Sequence, residues 1–358
     1  MRAIECLSGC DDDCANRTGS RARLTSEKIP RRLPRRPSLA DPRSARISSQ
    51  SLQSLSLLFS IFANDIVPIF AIAGVGFLLA RHFNASVETV SKVSFNALSP
   101  CLVFYQLVMS NITGSEFGRM ALFCVLLTAA MGLAARLTAI PLHLDRQTLS
   151  SFLLVVMFSN SGNYALPVVL FALGREALAY ASVYFVTSAI LVYTVGVFVA
   201  ASGAPGVRRA LNGVVRVPAI YAVVAAAVIM LTEVQLPLAI MRPIGMLSDA
   251  ALPIMLLVMG MQLERAVKPK QPAAVAIAVA LSLALSPIVG LGLSILLGLT
   301  GPARQAAILM ASMPAAVVTT VLALEFELDP SFATTAVFVS TMLSPFSVVL
   351  IIAYLQRF

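Results

Sequence analysis

The sequence predicts an all-α integral membrane protein whose ten transmembrane helices form two inverted five-helix repeats, with the fourth and ninth helices broken and crossing. Three observations lead to this prediction. The 358 residues are 58% hydrophobic and only 12% charged, whereas soluble proteins average about 45–50% apolar and about 25% charged residues. Apolar stretches of membrane-spanning length follow one another along most of the chain, and proline-containing motifs recur about 150 residues apart. Lipid is therefore the expected surrounding of most of the chain.

The first 56 residues differ from the rest. They hold 11 of the 26 Lys and Arg residues and are rich in Ser and Pro, a composition that cannot bury enough apolar surface to become ordered. We expect residues 1–56 to be a disordered basic tail, or sequence upstream of the natural start. Cys6, Cys10 and Cys14 are four residues apart, but they lack neighbouring His and do not follow a zinc-binding spacing. The sequence therefore predicts no metal site, no cofactor and no nucleic-acid partner.

Ten apolar stretches follow the tail, each near the ~20 residues that a spanning helix needs. They are residues 57–80, 88–109, 119–141, 149–173, 177–200, 213–231, 240–262, 272–299, 303–325 and 332–355. The odd-numbered loops carry nine Lys or Arg residues, whereas the even-numbered loops and the C-terminus together carry five. By the positive-inside rule the odd-numbered loops are cytoplasmic, which places both termini outside the cell membrane.

An internal repeat is visible in the spacing of the prolines. Residues 96–102 (NALSPCL) and 249–255 (DAALPIM) are 153 residues apart, and Val67-Pro68 and Val217-Pro218 are 150 residues apart. The chain therefore divides into repeats at residues 57–200 and 213–358, joined by a linker at 201–212. Because five is odd, homologous halves of five spans must lie in opposite orientations. Inverted repeats with a substrate site near the middle of the bilayer are typical of secondary transporters.

The fourth span contains the most polar stretch of the apolar part, residues 158–167 (FSNSGNYALP). Pro167 removes a backbone donor and Gly162 allows a bend, so the helix should break there. The new helix N-terminus would present N–H groups to an anion, and Asn160 and Asn163 would add neutral amide donors. The alternative is that these Asn side chains only hold helices together. The whole cluster favours a binding site.

The ninth span contains the corresponding segment, residues 310–320 (MASMPAAVVTT). Pro314, together with Ser312, Thr319 and Thr320, predicts a second broken helix, and Met313, Pro314 and Thr319 are candidate substrate-binding residues. Two discontinuous spans at corresponding positions of the two halves are the best sequence indication of a transport site. By symmetry the two breaks should cross near the middle of the bilayer.

The chain resembles the auxin efflux carrier family over about residues 57–356. The resemblance lies in Gly162-Asn163-x-x-Leu166-Pro167 with Phe171-x-x-Gly174, in Met313-Pro314-Ala315, and in the Ser99-Pro100 span that ends in Phe104. It implies ten helices in inverted repeats, two crossing broken helices and an elevator-like alternating-access mechanism. Plant members export the auxin anion, and bacterial members are linked to malate, malonate and similar carboxylates. The resemblance also implies that Asn163 contacts the substrate carboxylate.

Three charged residues are candidates for coupling or support. Glu88 and Lys92 are four residues apart and share a helix face; they resemble an acidic–Lys pair near the cytoplasmic cavity of plant family members, and the alternative is an ordinary exposed pair. Asp249 lies within an apolar span, three residues before Leu252-Pro253. Because a carboxylate in the membrane is costly, Asp249 is a candidate for proton uptake.

These observations predict a secondary transporter of small organic anions and not an enzyme, since no nucleophile–base pair, metal cluster or phosphate-binding loop is found. The expected partners are the bilayer, a small carboxylate, a coupling proton or sodium ion, and a second copy of the chain in a homodimer. A channel or a membrane sensor is the alternative; a channel would usually show rings of polar residues along a pore.

Overall fold

The computed structural model describes residues 56–110, 112–201, 218–232, 234–263 and 271–356, and every named element in them is a helix. The helices are α1 (Ser56–Phe83), α2 (87–108), α3 (Gly114–Leu142), α4 (Arg146–Met157), α5 (Ser161–Ala200), α6 (Pro218–Thr232), α7 (Leu238–Leu263), α8 (Pro272–Leu296), α9 (Gly301–Ala311), α10 (Val318–Glu325) and α11 (Pro330–Leu355). Apart from Ser56 and Ala201, the predicted tail (1–56) and linker (201–212) lie outside the described residues. Cys6, Cys10 and Cys14 of the tail therefore also lie outside the described residues.

Six of these helices are long and apolar enough to cross a membrane: α1, α3, α5, α7, α8 and α11. Of the other predicted spans, spans four and nine are interrupted helices and span six is the 15-residue α6. Span two is α2, a continuous helix that is long enough but less apolar, since it carries Glu88, Lys92 and Asn96. Helix α5 combines the end of predicted span four with span five, and Gly174 marks their boundary with the left-handed φ of 84°.

Proline accounts for much of the local irregularity. The described helices contain five π-helical turns of five residues each, and a proline follows two residues after four of them; the fifth turn, Val192–Gly196 in α5, is followed by Val197 and Phe198. The four turns before a proline are Phe62–Ile66, Ser94–Leu98, Ser161–Ala165 and Leu281–Leu285, followed by Pro68, Pro100, Pro167 and Pro287. A proline ring clashes with the carbonyl four residues earlier. A widened turn at that place relieves the clash while the helix continues.

The outward surface is apolar. Leu133 on α3, Leu231 on α6, Leu296 on α8 and Phe346 on α11 are each more than 60% exposed. Large contiguous apolar surface is unfavourable in water. In a bilayer the same side chains face acyl chains, so the exterior fits a protein that crosses the membrane several times.

The helices pack in two groups. Helix α7 packs on α1 and α2, and α2 packs on α6; we term these helices the four-helix group. The seven-helix group consists of α3, α4, α5, α8, α9, α10 and α11, in which α5 packs on α9 and α3 packs on α4, α5 and α8. Helices α2 and α7 contact α5 across the boundary. The boundary between the groups is therefore formed mainly by these three helices.

Inside the four-helix group, α1 and α7 touch backbone to backbone. A Cβ on Gly260 would collide with the carbonyl of Ala73, and a Cβ on Gly76 would collide with the carbonyl of Leu257. Small residues at such contacts are how membrane helices approach closely. The α1–α7 contact has no room for one additional methyl group.

Candidate substrate site

Two interrupted helices meet near the centre of the protein. Helix α4 ends at Met157 and α5 begins at Ser161, while α9 ends at Ala311 and α10 begins at Val318. The connecting segments pair as an isolated antiparallel bridge between Ser159 and Ala315. We call this pair of segments the crossing.

Backbone hydrogen bonds hold the crossing together. The N–H of Asn160 donates to the carbonyl of Pro314 at 2.7 Å, and the N–H of Ala316 donates to the carbonyl of Phe158 at 2.9 Å. The N–H of Ala315 donates to the hydroxyl oxygen of Ser340 on α11 at 3.2 Å. Each interrupted helix exposes backbone groups that lipid cannot satisfy. The two interruptions satisfy part of that requirement for each other.

Tyr164 anchors the start of α5 to both groups of helices. Its fully buried hydroxyl accepts a hydrogen bond from Ser344 on α11 at 3.1 Å. Its ring meets the edge of Phe70 on α1, with centroids 6.1 Å apart and planes at 78°. Gly162 lies so close to Phe185 that a Cβ would come within 2.9 Å of the ring. The first turn of α5 is therefore fixed in position.

A cavity of about 270 Å³ lies beside the crossing, and we call it the crossing cavity. Asn160, Ser161 and Asn163 from the start of α5 line it, and Val317 and Val318 from the start of α10 also line it. The remaining walls come from α2, α7 and the middle of α5. Both groups of helices thus contribute to the cavity.

The electrostatics of the crossing cavity favour an anion that is held without a formal counter-charge. Among the described residues, its lining contains no Asp, Glu, Lys, Arg or His. Helices α5 and α10 both begin at this cavity, and a helix N-terminus carries positive partial charge. The N–H groups of Ser161, Thr319 and Thr320 already donate to backbone carbonyls, so the contribution of these helix starts is mainly their dipole. Asn160 accepts no hydrogen bond from the first turn of α5, and its Nδ2 has no partner among the described residues.

Three of the predicted site residues line this cavity together: Asn160, Gly162 and Asn163. Pro314 contributes through its carbonyl, which accepts from the N–H of Asn160. Asn160 is 5% exposed, whereas Asn163 is half-buried. The cavity is therefore lined by one buried amide, that of Asn160, and one more accessible amide, that of Asn163.

The other three predicted residues around the breaks do not line the crossing cavity. Pro167 is buried in α5. The Thr319 hydroxyl donates to the carbonyl of Ala316 at 2.6 Å, so this side chain stabilises the start of α10. Met313 lines a separate cavity of about 10 Å³ behind the crossing, together with Tyr184 and Ser282.

Glu88 and Lys92 form an exposed ion pair on α2. Both line a wider cavity of about 870 Å³, which we call the vestibule. The vestibule and the crossing cavity share Ser91, Phe95, Tyr193, Gln262, Val317 and Val321. Phe95 and Tyr193 form a tilted aromatic pair with centroids 6.4 Å apart, across the boundary between α2 and α5. The shared residues form a neck between the two cavities.

Asp249 lies elsewhere. Its carboxylate pairs with the guanidinium of Arg175 at 3.5 Å, and both side chains are more than 60% exposed. The pair borders a third cavity of about 160 Å³, the far cavity, between α7 and the Leu170–Arg175 part of α5. Asp249 does not line the crossing cavity; the nearest lining residue on α7 is Met255, six residues later, or about 9 Å along a helix axis. The structure does not bring Asp249 to the crossing.

Sequence reasoning missed Ser91 on α2 and Gln262 on α7, which line the crossing cavity. Each carries a buried polar atom without a partner among the described residues. A signal was present for Gln262, because it is an uncharged polar side chain in the apolar run of α7. Ser91 gave no such signal, since serine is common in membrane helices.

Several apolar helices, two interrupted helices that cross, and a polar cavity at that crossing together describe a multi-pass membrane transport protein. The sequence profile of the family described as "Membrane transport protein" matches residues 61–352. The chain therefore belongs to this family of auxin-efflux-carrier-like transporters, and the resemblance found in the sequence is confirmed. The chain is also 27% identical to an "Uncharacterized transporter" of Methanothermobacter thermautotrophicus over 260 residues, which cover 72% of this chain and 85% of the relative.

Proposed function

We propose that this chain is a secondary active transporter that moves small organic anions, such as mono- or dicarboxylates, across the cell membrane by alternating access. One observation carries the proposal: the half-helices α5 and α10 both begin at a cavity that contains Asn160 and Asn163 and, among the described residues, no fixed charge. Half-helix N-termini at the membrane midplane bind anionic substrate groups in known transporters. Neutral donors hold a carboxylate and still release it.

The proposed architecture is the ten-helix inverted repeat. Predicted span four corresponds to α4 with α5 up to Gly174, and span nine corresponds to α9 with α10. The two interruptions then occupy equivalent places in opposite orientations. Their antiparallel pairing at Ser159 and Ala315 supports this assignment.

The proposed transport step moves the seven-helix group, which carries the crossing, against the four-helix group. The crossing cavity connects to the vestibule through the neck, while the far cavity is a separate space on the other part of α7. If the odd-numbered loops are cytoplasmic, the vestibule faces the cytoplasm, because Val87 and Pro330 lie next to loops one and nine. Separate cavities favour a carrier over a channel, which needs one continuous pore.

Uptake into proteoliposomes tests this proposal. Purified protein should accumulate radiolabelled malate, malonate or indole-3-acetate when a proton or sodium gradient is imposed, and gradient collapse should stop accumulation. Asn163→Ala should lower uptake about 10- to 100-fold, because a hydrogen bond to a charged group contributes about 1.5–3 kcal/mol. Asn64→Ala is the matched control, since Asn64 is exposed on α1 and bonds only Ser60 among the described residues.

The outcomes separate the candidate functions. Downhill flux that no gradient can drive uphill would indicate a channel, and binding without flux would indicate a sensor. Equal uptake by wild type and Asn163→Ala would remove Asn163 from the site. The proton and sodium gradients are imposed separately, so the coupling ion is read from the same assay, and light scattering of the purified protein tests the expected homodimer.

A further inference from the structure

Three polar atoms around the crossing cavity have no hydrogen-bond partner among the described residues: Nδ2 of Asn160, Oγ of Ser91 and Oε1 of Gln262. All three residues line the cavity, and Asn160 is 5% exposed. Buried polar groups in native proteins are nearly always hydrogen-bonded. Three unpaired groups around one cavity point to a ligand that supplies the missing partners.

The three groups belong to different parts of the protein. Asn160 lies at the crossing, in the seven-helix group, whereas Ser91 on α2 and Gln262 on α7 belong to the four-helix group. Ser91 and Gln262 also line the vestibule, so they lie at the neck. A ligand on Asn160 that extends towards the neck would meet these two side chains with its other end.

The chemistry of the two neck groups is complementary to a hydroxyl. A serine hydroxyl can donate a hydrogen bond, and a glutamine amide oxygen can only accept one. A substrate hydroxyl accepts from Ser91 and donates to Gln262, which satisfies both. A methylene at that position would leave both unpaired, and an ionised carboxylate would place negative oxygens against the amide oxygen.

We propose that Ser91 and Gln262 recognise a hydroxyl group, so that the preferred substrate is a small hydroxycarboxylate whose carboxylate lies on Asn160. This inference rests on the transport function proposed above and adds which substituent the site selects. A site built to hydrogen-bond a substrate hydroxyl discriminates strongly against the analogue that lacks it, because the polar groups of the site are then left unpaired.

Equilibrium binding of two matched pairs of acids to the purified full chain tests the inference. The pairs are lactate against propionate and malate against succinate. We expect the hydroxylated member of each pair to bind at least about 10-fold more tightly to the wild type. Gln262→Met keeps the length of the side chain and removes the acceptor, so the preference should fall to about threefold or less while the affinity for propionate changes less than about twofold.

Two control variants separate this effect from general disturbance. Gln106→Met makes the same change at a buried glutamine that lines the far cavity. Ser294→Ala removes a buried hydroxyl that does not line the crossing cavity and that already donates to the carbonyl of Leu291 at 2.8 Å. Both controls should retain the wild-type preference, and Ser91→Ala should lose it. If Gln262→Met does not fold, Ser91→Ala tests the inference in its place.

The results distinguish this inference from the proposed function. Equal wild-type affinity for both members of each pair overturns the role of the hydroxyl and leaves carboxylate transport standing. The role of the hydroxyl is also overturned if Gln262→Met lowers the affinities for lactate and for propionate by the same factor. Absence of binding and of uptake for these four acids and also for malonate and indole-3-acetate overturns both proposals together.

Discussion

Helix α7 packs in opposite ways on its two sides. Towards α1, inside the four-helix group, Gly260 lies against the backbone of Ala73 and leaves no space for a methyl group. Towards the seven-helix group, the same helix borders the crossing cavity and the far cavity, and it presents Gln262 and Ser248, each with a buried polar atom unpaired among the described residues. One side is close-packed and the other is open.

This difference indicates where relative motion is easiest. Close-packed interfaces resist sliding, because any displacement creates overlap or a void. The boundary between the groups has two cavities along α7, the far cavity beside the middle of the helix and the crossing cavity towards its C-terminal end. We therefore expect the four-helix group to stay rigid during transport while the seven-helix group changes position against it.

The largest expected effect comes from breaking the close-packed side. Gly260→Ala and Gly76→Ala each force α1 and α7 apart, so the free energy of unfolding should fall by about 3 kcal/mol, at the upper end for overpacking. Gly74→Ala on the same helix α1 is the matched control, because a Cβ there meets nothing within 4 Å. It should raise stability by up to about 1 kcal/mol through helix propensity. Thermal unfolding in detergent measures all three, and equal melting of Gly76→Ala and Gly74→Ala would contradict the comparison.

The second effect tests the open side. Ala189 on α5 lines the crossing cavity, whereas Ala181 on the same helix is fully buried. Ala189→Leu should keep the free energy of unfolding within about 1 kcal/mol and lower transport at least about 10-fold, because the leucine occupies the cavity. Ala181→Leu should cost about 1–3 kcal/mol, as overpacking does. Equal losses in the free energy of unfolding for Ala189→Leu and Ala181→Leu would show that the crossing cavity has no room for a leucine side chain.

The open boundary was the part that the sequence could not predict. The breaks were predictable, since Pro167, Gly162 and Pro314 have local backbone consequences. Which side of an unbroken helix faces a cavity depends on its neighbours, so Gln262 was missed. The same limitation explains Thr319, whose hydroxyl bonds its own chain at Ala316.

Asp249 shows a related limit. Its place in an apolar span predicted a carboxylate inside the membrane, and the structure gives that carboxylate a partner that the sequence did not indicate, the guanidinium of Arg175 at 3.5 Å. Span membership does not reveal how far a side chain reaches towards the surface or which partner meets it. Its role in proton coupling stays a prediction.

A third, smaller effect concerns the crossing, which lies in the middle of the boundary. Ser340→Ala removes the acceptor for the N–H of Ala315. A buried donor without a partner costs about 1–3 kcal/mol, so the melting temperature should fall. Ser182→Ala is the matched control, since its buried hydroxyl bonds only the carbonyl of Leu178 on its own helix. Equal melting of both variants would show that Ser340 does not hold the crossing.

The smallest expected effect on stability is that of Asp249→Asn. Arg175 and Asp249 are both exposed and both border the far cavity, where water can solvate the freed guanidinium, so the loss of the pair should change the free energy of unfolding by about 1 kcal/mol or less. The pair nevertheless joins α7 to α5 across the open boundary, so the variant separates two roles. If Asp249 takes up the coupling proton, Asp249→Asn should transport at a rate independent of the proton gradient.

Transport by Asp249→Asn that still depends fully on the proton gradient, with only a changed rate, would show that the coupling residue lies elsewhere. The Arg175–Asp249 pair would then act on the movement of the two helix groups. Arg175→Gln is the deciding comparison, because it breaks the same pair and leaves the Asp249 carboxylate in place. Transport by Arg175→Gln should depend on the proton gradient under either role. The two variants should differ in gradient dependence only if Asp249 binds the coupling proton.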